Sequence, residues 1–141
     1  MTEFTSHSVI ETEQFAAQCA AKLRAGDVLA CRGGMGMGKT AFARGLARGL
    51  GLDDEVSSPT FALVQEYTHG PLPLFHFDLY RIRDVYDLES TGFYDYLDRG
   101  GVLFIEWSEN AAGALPPETV HVCFGRVDDE TRTIALEGGP F

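Results

Sequence analysis

Apolar positions recur along the chain with two different spacings. Residues 11–25 and 39–50 carry apolar side chains three or four positions apart, which predicts two amphipathic helices. The run at residues 28–32 is short and almost wholly apolar, as in a buried strand. Later runs, either alternating or continuously apolar, predict further strands at residues 61–67, 74–80, 102–106, 120–124 and 131–136.

The first helix has two candidate N-terminal caps. Ser8 and Glu11 have the spacing of a capping box, in which two side chains satisfy free backbone N–H groups at the helix start. Thr12 is an alternative cap, so the pattern leaves the first helical residue open by about one turn. Gly26 follows the last periodic position and is typical of a helix end.

Residues 33–40, Gly-Gly-Met-Gly-Met-Gly-Lys-Thr, match the P-loop pattern. Bound phosphates need several inward-facing backbone N–H groups, and a glycine-rich turn lets the main chain approach that closely. Lys39 would contact the outer phosphates, and the Thr40 hydroxyl can ligate Mg²⁺. A strand precedes the loop and a helix follows it, and the N-terminal end of that helix favours an anion. The segment therefore predicts a site for a nucleoside triphosphate with Mg²⁺.

Two acidic residues in later strands are candidates for the metal-linked part of this site. Glu106 ends an apolar run, which is typical of the carboxyl end of a buried parallel strand, where ligands bind in open α/β sheets. A carboxylate there can hold the metal or orient an attacking water, although it can also be an ordinary solvated acid. Asp78 lies inside a strand and needs a partner, either Arg81 or a bound Mg²⁺.

Three further features allow both a functional and a structural interpretation. Residues 56–60, Val-Ser-Ser-Pro-Thr, are either a solvated loop or a switch-like segment that reaches the γ-phosphate. The acidic, aromatic residues 84–98 predict two short helices broken at Gly92, which either cover the sheet or form a partner surface. Trp107 lies either near the nucleotide or in the core.

The order of elements predicts an α/β fold in a single domain over residues 1–141. Strands 61–67 and 74–80 are close in sequence, which favours an antiparallel hairpin, and the last two strands form another antiparallel pair. We therefore expect a P-loop NTPase-like three-layer fold. Its mainly parallel sheet carries an antiparallel hairpin and C-terminal antiparallel strands.

Composition narrows the class of protein. A chain of 141 residues with 45% hydrophobic and 23% charged positions is typical of a soluble globular domain. No run approaches the ~18 apolar residues of a membrane span, and the N-terminus lacks a signal-peptide pattern. The three cysteines have neither metal nor disulfide spacing, so we expect a cytoplasmic protein. The net charge of −10 argues against direct binding to nucleic acid, which relies on positive charge.

Several functions could use such a loop. A Ras-like GTPase should carry an Asn-Lys-x-Asp motif, which this sequence lacks. A small-molecule kinase usually has an arginine-bearing lid, but only Arg99, Arg126 and Arg132 follow residue 84. An ATPase, a small P-loop kinase and a nucleotide-gated binding module with incidental hydrolysis all stay open at this point.

Short strings follow the P-loop in a fixed order. They are Ser58-Pro59-Thr60-Phe61, His76-Phe77-Asp78-Leu79-Tyr80-Arg81, Gly92-Phe93 and Ile105-Glu106-Trp107. In this order the chain, from about residue 8 to its last strand, resembles the TsaE (YjeE) family of bacterial tRNA threonylcarbamoyladenosine biosynthesis ATPases.

The resemblance implies a small cytoplasmic ATPase that uses ATP and Mg²⁺ and works with two partners, TsaB and TsaD. Together these proteins place a threonylcarbamoyl group on the adenosine beside the anticodon, in tRNAs that read codons beginning with A. The transfer chemistry belongs to TsaD. A subunit of this family would therefore reach tRNA only indirectly, and it would need no membrane.

The resemblance also implies roles for matching residues. The catalytic candidates are Lys39, Asp78 and Glu106, and the candidate ligands of Mg²⁺ are Thr40 and Glu106. The candidate nucleotide contacts are Glu11 (near the base), Gly36, Met37, Gly38, Lys39, Thr40, Ala41, Asp78 and Arg132. The family commonly has alanine at the position of Met37 and threonine at the position of Ala41. We therefore expect nucleotide binding to persist and the rate of hydrolysis to be affected.

Overall fold

The computed structural model describes residues 1–32, 38–53 and 63–141. Its strands are β1 (Thr2–Ser6), β2 (Val28–Arg32), β3 (Val64–Tyr67), β4 (Leu74–Asp78), β5 (Val102–Glu106), β6 (Val120–Arg126) and β7 (Arg132–Glu137). Its helices are α1 (Val9–Ala20), α2 (Lys39–Gly49), α3 (Val85–Ser90), α4 (Phe93–Tyr96) and a 3-10 helix at Ser108–Ala114.

The described strands form one sheet in the order β1-β7-β6-β2-β5-β4-β3. Strands β6, β2, β5 and β4 run parallel to one another. The hairpin β3–β4 and the C-terminal pair β6–β7 are antiparallel, as the sequence predicts. The expectation of a mainly parallel sheet with an antiparallel hairpin and C-terminal antiparallel strands is therefore confirmed.

Strand β1 is an addition that the sequence pattern does not predict. Its residues, Thr-Glu-Phe-Thr-Ser, include only one large apolar side chain, so they lack the apolar pattern of a buried strand. An edge strand needs no such pattern, because it buries little of its surface. It pairs antiparallel with β7 at the edge of the sheet. Phe4 anchors it by stacking on Phe15 of α1, with the ring centroids 4.4 Å apart.

Helices cover both faces of the sheet, which gives the predicted three layers. Helices α1 and α2 lie on what we call the α1–α2 face, where Leu29 and Phe104 of the sheet join their core. The short helices α3 and α4 and the 3-10 helix lie on the α3–α4 face, against Phe77 and Ile105. Alternate residues of each central strand therefore enter different cores.

Helix α1 starts earlier and ends earlier than the sequence predicts. Ser8 is its cap: the Glu11 N–H donates to Ser8 Oγ at 3.1 Å, and the His7 N–H donates to Glu11 Oε1 at 3.0 Å. Thr12, the alternative cap, instead shares a hydrogen bond of 2.7 Å with Ser6. The helix ends at Ala20 and not at residue 25, because a turn closed by Asp27 occupies the last predicted positions.

Two glycines let α1 and α2 approach closely. A Cβ atom on Gly45 would lie 2.3 Å from the carbonyl oxygen of Glu13 and 2.6 Å from the Ala16 Cβ. A Cβ atom on Gly49 would lie 2.6 Å from the carbonyl oxygen of Ala17. These contacts fix the position of α2, whose first turn carries Lys39 and Thr40.

Candidate functional site

The three catalytic candidates meet where the central parallel strands end, at their carboxyl ends. Strands β2, β5 and β4 are parallel neighbours, and in their register Cys31 pairs with Glu106 and Glu106 pairs with Asp78. Side chains at paired positions point to the same side of a sheet, which here is the α1–α2 face. Helix α2 begins with Lys39. Burial raises the pKa of the Asp78 carboxyl, and the nearby charge of Lys39 opposes that rise. The structure thus brings together residues that are far apart in the sequence.

Glu106 is buried and hydrogen-bonded. Its Oε2 atom accepts from Nε2 of His76 at 2.6 Å, and the His76 side chain is fully buried. The His76 ring lies against Phe104, with the ring centroids 5.2 Å apart. The alternative that Glu106 is an ordinary solvated acid is therefore wrong. Sequence reasoning missed this pair, because His76 gives no metal spacing and its contact with Glu106 depends on strand register.

Asp78 lies beside Glu106 but is partly exposed. Its Oδ1 atom accepts from the backbone N–H of Tyr80 at 3.0 Å. Burial raises the pKa of the Asp78 carboxyl, and the neighbouring charge of Glu106 raises it further, while the hydrogen bond from Tyr80 opposes the rise. Within the described part of the chain Arg81 is exposed and forms no ion pair with Asp78, so Arg81 is not the partner that the sequence allowed.

The buried Lys39 side chain lies beside Trp107. Its Nζ atom is 5.3 Å from the centroid of the Trp107 ring, which also contacts Tyr80 edge-on at 5.1 Å. Trp107 is the one non-glycine residue with a positive φ among the residues described, at φ 58° and ψ 45°. A bulky residue in this left-handed region is strained. This unusual backbone turns the indole toward the start of α2, and Trp107 is thus a half-buried part of the site.

The start of α2 carries the remaining P-loop candidates that the structure describes. Gly38 caps the helix at φ 90° and ψ 16°. A Cβ there would meet nothing within 4 Å, so the need for glycine comes from the left-handed backbone and not from crowding. Thr40 is partly exposed in the first turn. Gly36 and Met37 fall outside the described residues, as does the switch-like segment 56–60.

A pocket of about 420 Å³ opens beside the start of α2. It is lined by His7, Ser8, Val9, Thr12, Gly38, Ala41, Asp129, Glu130 and Arg132. Three candidate nucleotide contacts, Gly38, Ala41 and Arg132, therefore share one pocket. Glu11 does not line it, and its carboxylate instead holds the backbone N–H of His7.

Arg132 reaches this pocket from the first position of β7. Its Nη1 atom donates to the carbonyl oxygen of Asp128 at 2.6 Å and to that of Thr131 at 3.1 Å. In the sheet register Arg132 pairs with Ser6 at the end of β1. The pocket lining begins directly after this strand, at His7 and Ser8.

The side chains at this edge suit a magnesium ion. Asp78 and Glu106 offer carboxylate oxygens and Thr40 offers a hydroxyl, and Mg²⁺ prefers oxygen ligands. Within the described residues no group of three or more His, Cys, Asp or Glu could hold a metal. A magnesium ion here would accordingly need waters and substrate phosphates to complete its coordination, which is its usual mode of binding.

The sheet order, with a helix that starts beside paired carboxylates, defines an α/β protein of the P-loop NTPase-like class. The family model described as "Threonylcarbamoyl adenosine biosynthesis protein TsaE" matches residues 6–134. The chain belongs to the TsaE family.

Relatives and a solved structure agree with this assignment. The chain is 40% identical over 126 residues to the tRNA threonylcarbamoyladenosine biosynthesis protein TsaE of Bacillus subtilis, covering 89% of this chain and 78% of that protein. The Treponema pallidum protein of the same description is 37% identical, with 93% and 96% covered. The crystal structure of YdiB from Bacillus subtilis superposes with a TM-score of 0.83 at 33% identity, covering 97% of this chain and 84% of that one. No helix in the described ranges is long and apolar enough to cross a membrane.

Proposed function

We propose that this protein binds and hydrolyses ATP, with Mg²⁺, in the biosynthesis of threonylcarbamoyladenosine in tRNA. The proposal includes a cytoplasmic location and TsaB-like and TsaD-like partners. The observation that carries it is the convergence of Lys39, Asp78 and Glu106 at the N-terminal end of α2, on adjacent parallel strands. Family membership supports the tRNA pathway, since the relatives are described as biosynthesis proteins of this nucleoside.

Each residue has a role that its position allows. The Lys39 ammonium would contact the outer phosphates, and the helix N-terminus beside it favours the same negative charge. Thr40 and Glu106 would hold Mg²⁺, with Asp78 beside them. The ion, when bound, neutralises charge that develops on the phosphates. Glu106 would also orient the attacking water, because its buried carboxylate is held in one place by His76.

The rest of the nucleotide would occupy the pocket beside α2. Arg132 and the backbone near Gly38 line this pocket together with Ala41. Glu11 would act near the base only indirectly, through the N-terminal end of α1 that its carboxylate stabilises.

The acidic charge of the chain supports a division of labour between partners. A net charge of −10 disfavours contact with tRNA phosphates. The partners would therefore bind the tRNA and perform the transfer, and this subunit would supply a nucleotide-dependent step.

Two activities test the proposal. One is the steady-state rate of ATP hydrolysis, and the other is the rate of tRNA modification in a reaction reconstituted with TsaB-like and TsaD-like proteins. Lys39→Ala and Glu106→Gln should each lower both activities on the order of 100-fold or more. The matched controls are Lys22→Ala and Glu118→Gln. Both residues are exposed, and they precede β2 and β6, near the amino ends of the parallel strands and away from the site. Full activity of Lys39→Ala and Glu106→Gln would overturn the proposal.

One observation favours a nucleotide-gated module with incidental hydrolysis. Ala41 lines the pocket without the hydroxyl that a threonine would provide, which removes a possible phosphate contact. Repeated rounds of tRNA modification with a non-hydrolysable ATP analogue would favour this alternative. A single round with the analogue would favour the ATPase. Transfer of phosphate to an acceptor in a substrate screen would instead indicate a kinase.

A further inference from the structure

His76 is an unusual residue for the position it occupies. It lies fully buried in β4 and packs on Phe104, with one ring nitrogen bound to Glu106. The other ring nitrogen, Nδ1, has no hydrogen-bond partner among residues 1–32, 38–53 and 63–141. An unsatisfied buried polar atom destabilises a protein, so the Nδ1 atom is a cost of placing an imidazole here. The feature that distinguishes this imidazole from an apolar side chain is its hydrogen bond to the Glu106 carboxylate.

The hydrogen bond to Glu106 offers an explanation. A glutamate side chain has several rotatable bonds, and a carboxylate at a strand end could point in several directions. The Nε2–H group of His76 holds Oε2 at 2.6 Å from inside the core. This leaves the Oε1 atom of Glu106 for a ligand at the sheet edge, beside Asp78 in the register.

We propose that His76 is a positioning residue for Glu106, fixing this carboxylate in the direction required for ATP hydrolysis. His76 touches neither nucleotide nor metal and acts only through Glu106. The inference rests on the proposed function, because it assigns His76 a part in the same reaction. When a buried partner that orients a metal-binding side chain is removed, the metal affinity or the activity of the enzyme commonly falls.

Two amide substitutions provide a matched test. The side-chain nitrogen of His76→Gln can take the place of Nε2, whereas that of His76→Asn takes the place of Nδ1 and cannot reach Glu106. We expect His76→Gln to keep kcat within about threefold of the wild type and His76→Asn to lose about 10- to 100-fold. KM for ATP should change little in either variant, since the phosphate contacts of Lys39 stay in place.

A second background separates positioning from general damage. In Glu106→Gln, His76→Asn should cause no further loss of kcat, because the residue through which His76 acts is already changed. A readout without turnover is the affinity for ADP measured with and without Mg²⁺. His76→Asn should weaken the gain in ADP affinity that Mg²⁺ gives the wild type, whereas His76→Gln should preserve it.

The outcomes distinguish this inference from the proposed function. A wild type that neither binds nor hydrolyses ATP would overturn the proposed function. An active wild type whose kcat falls equally in His76→Gln and His76→Asn, or is unchanged in both, would overturn the inference alone. Equal losses from His76→Asn in the wild-type and Glu106→Gln backgrounds would also overturn it. Should His76→Asn fail to fold, loss of kcat in a folded His76→Gln would overturn the inference, and retention of kcat and of the Mg²⁺ effect would uphold it.

Discussion

Helices cover both faces of the sheet, but those of the α1–α2 face are longer and more closely packed than those of the α3–α4 face. Helices α1 and α2 have 12 and 11 residues, whereas α3 and α4 have six and four. The α1–α2 face carries Lys39, His76 and Glu106. Large apolar side chains are exposed on helices of both faces, Ile10 on α1 and Tyr86 on α3. The candidate chemistry thus lies on the face with the longer helices and the closer helix contact, which suits a preorganised site.

The largest difference between the two faces should appear when an aromatic side chain is removed from each. Phe42 of α2 is fully buried and contacts the rings of Phe104 and Phe124 at 5.6 Å. Phe42→Ala should lower the free energy of unfolding by about 3–5 kcal/mol. Tyr86→Ala, at a side chain that is 76% exposed, should change it by about 0.5 kcal/mol or less. Denaturant unfolding of both variants measures the two values, and similar losses would contradict the comparison.

Glycine substitutions test the helix contact itself. Gly45→Ala places a methyl group 2.3 Å from a backbone oxygen of α1, so the helices must move apart. We expect a loss of about 1–3 kcal/mol, and reduced ATP hydrolysis because Lys39 moves with α2. Gly113→Ala, in the 3-10 helix on the other face, meets nothing within 4 Å and should be nearly neutral. Thermal unfolding and hydrolysis assays of both variants would check this, and a stable, fully active Gly45→Ala would show that close helix contact is not needed.

Helix caps give a smaller contrast. Ser8 caps α1, and Ser8→Ala should lower the free energy of unfolding by about 1 kcal/mol. Asp84 caps the short helix α3 by accepting from the Asp87 N–H at 2.9 Å. Asp84→Ala should cost about 0.5 kcal/mol or less of global stability, because α3 can fray without opening the core. Hydrogen exchange would show faster exchange confined to α3. Equal global losses would place both helices in one cooperative unit.

The sequence predicts the central strands and the start of α2 well, because their signals are local. The apolar run that ends in Glu106 and the alternation around Asp78 identify β5 and β4 without knowledge of any partner. The two carboxylates could be assigned to one edge because parallel strands end on the same side. Strand β1 was not predicted, because its stability comes from pairing with β7 and from one aromatic contact.

The parts of the site that the sequence could not predict depend on register and on backbone strain. His76 and Glu106 are 30 residues apart and meet because of how β4 and β5 align. The left-handed backbone of Trp107 has no signal in the residue type, since tryptophan disfavours it. Arg81 looked like a partner for Asp78 by proximity in sequence, but a residue beyond the end of a strand need not share its direction.

The smallest effect that we predict is the change in stability when Asp78 is replaced by asparagine. The informative result is whether stability rises or falls. Burial raises the pKa of the folded carboxyl above its usual value of 3.8, so the folded state binds this proton more tightly than the unfolded state does. Stability is therefore lost as the pH rises from 3.8 through the raised pKa, and the cost is present in full at neutral pH. Asp78→Asn removes the charge and should be more stable than the wild type at neutral pH. This advantage should shrink as the pH falls toward 3.8.

Thermal unfolding across that pH range measures the effect, with Asp95→Asn on the exposed surface of α4 as the control for loss of one negative charge. The same Asp78→Asn substitution should lower ATP hydrolysis. Opposite changes in stability and activity would mean that the edge of the α1–α2 face keeps a carboxylate that its own packing disfavours, as functional sites commonly do. A variant that is less stable than the wild type at neutral pH would instead make Asp78 a structural residue, and the contrast between the two faces would then concern packing alone.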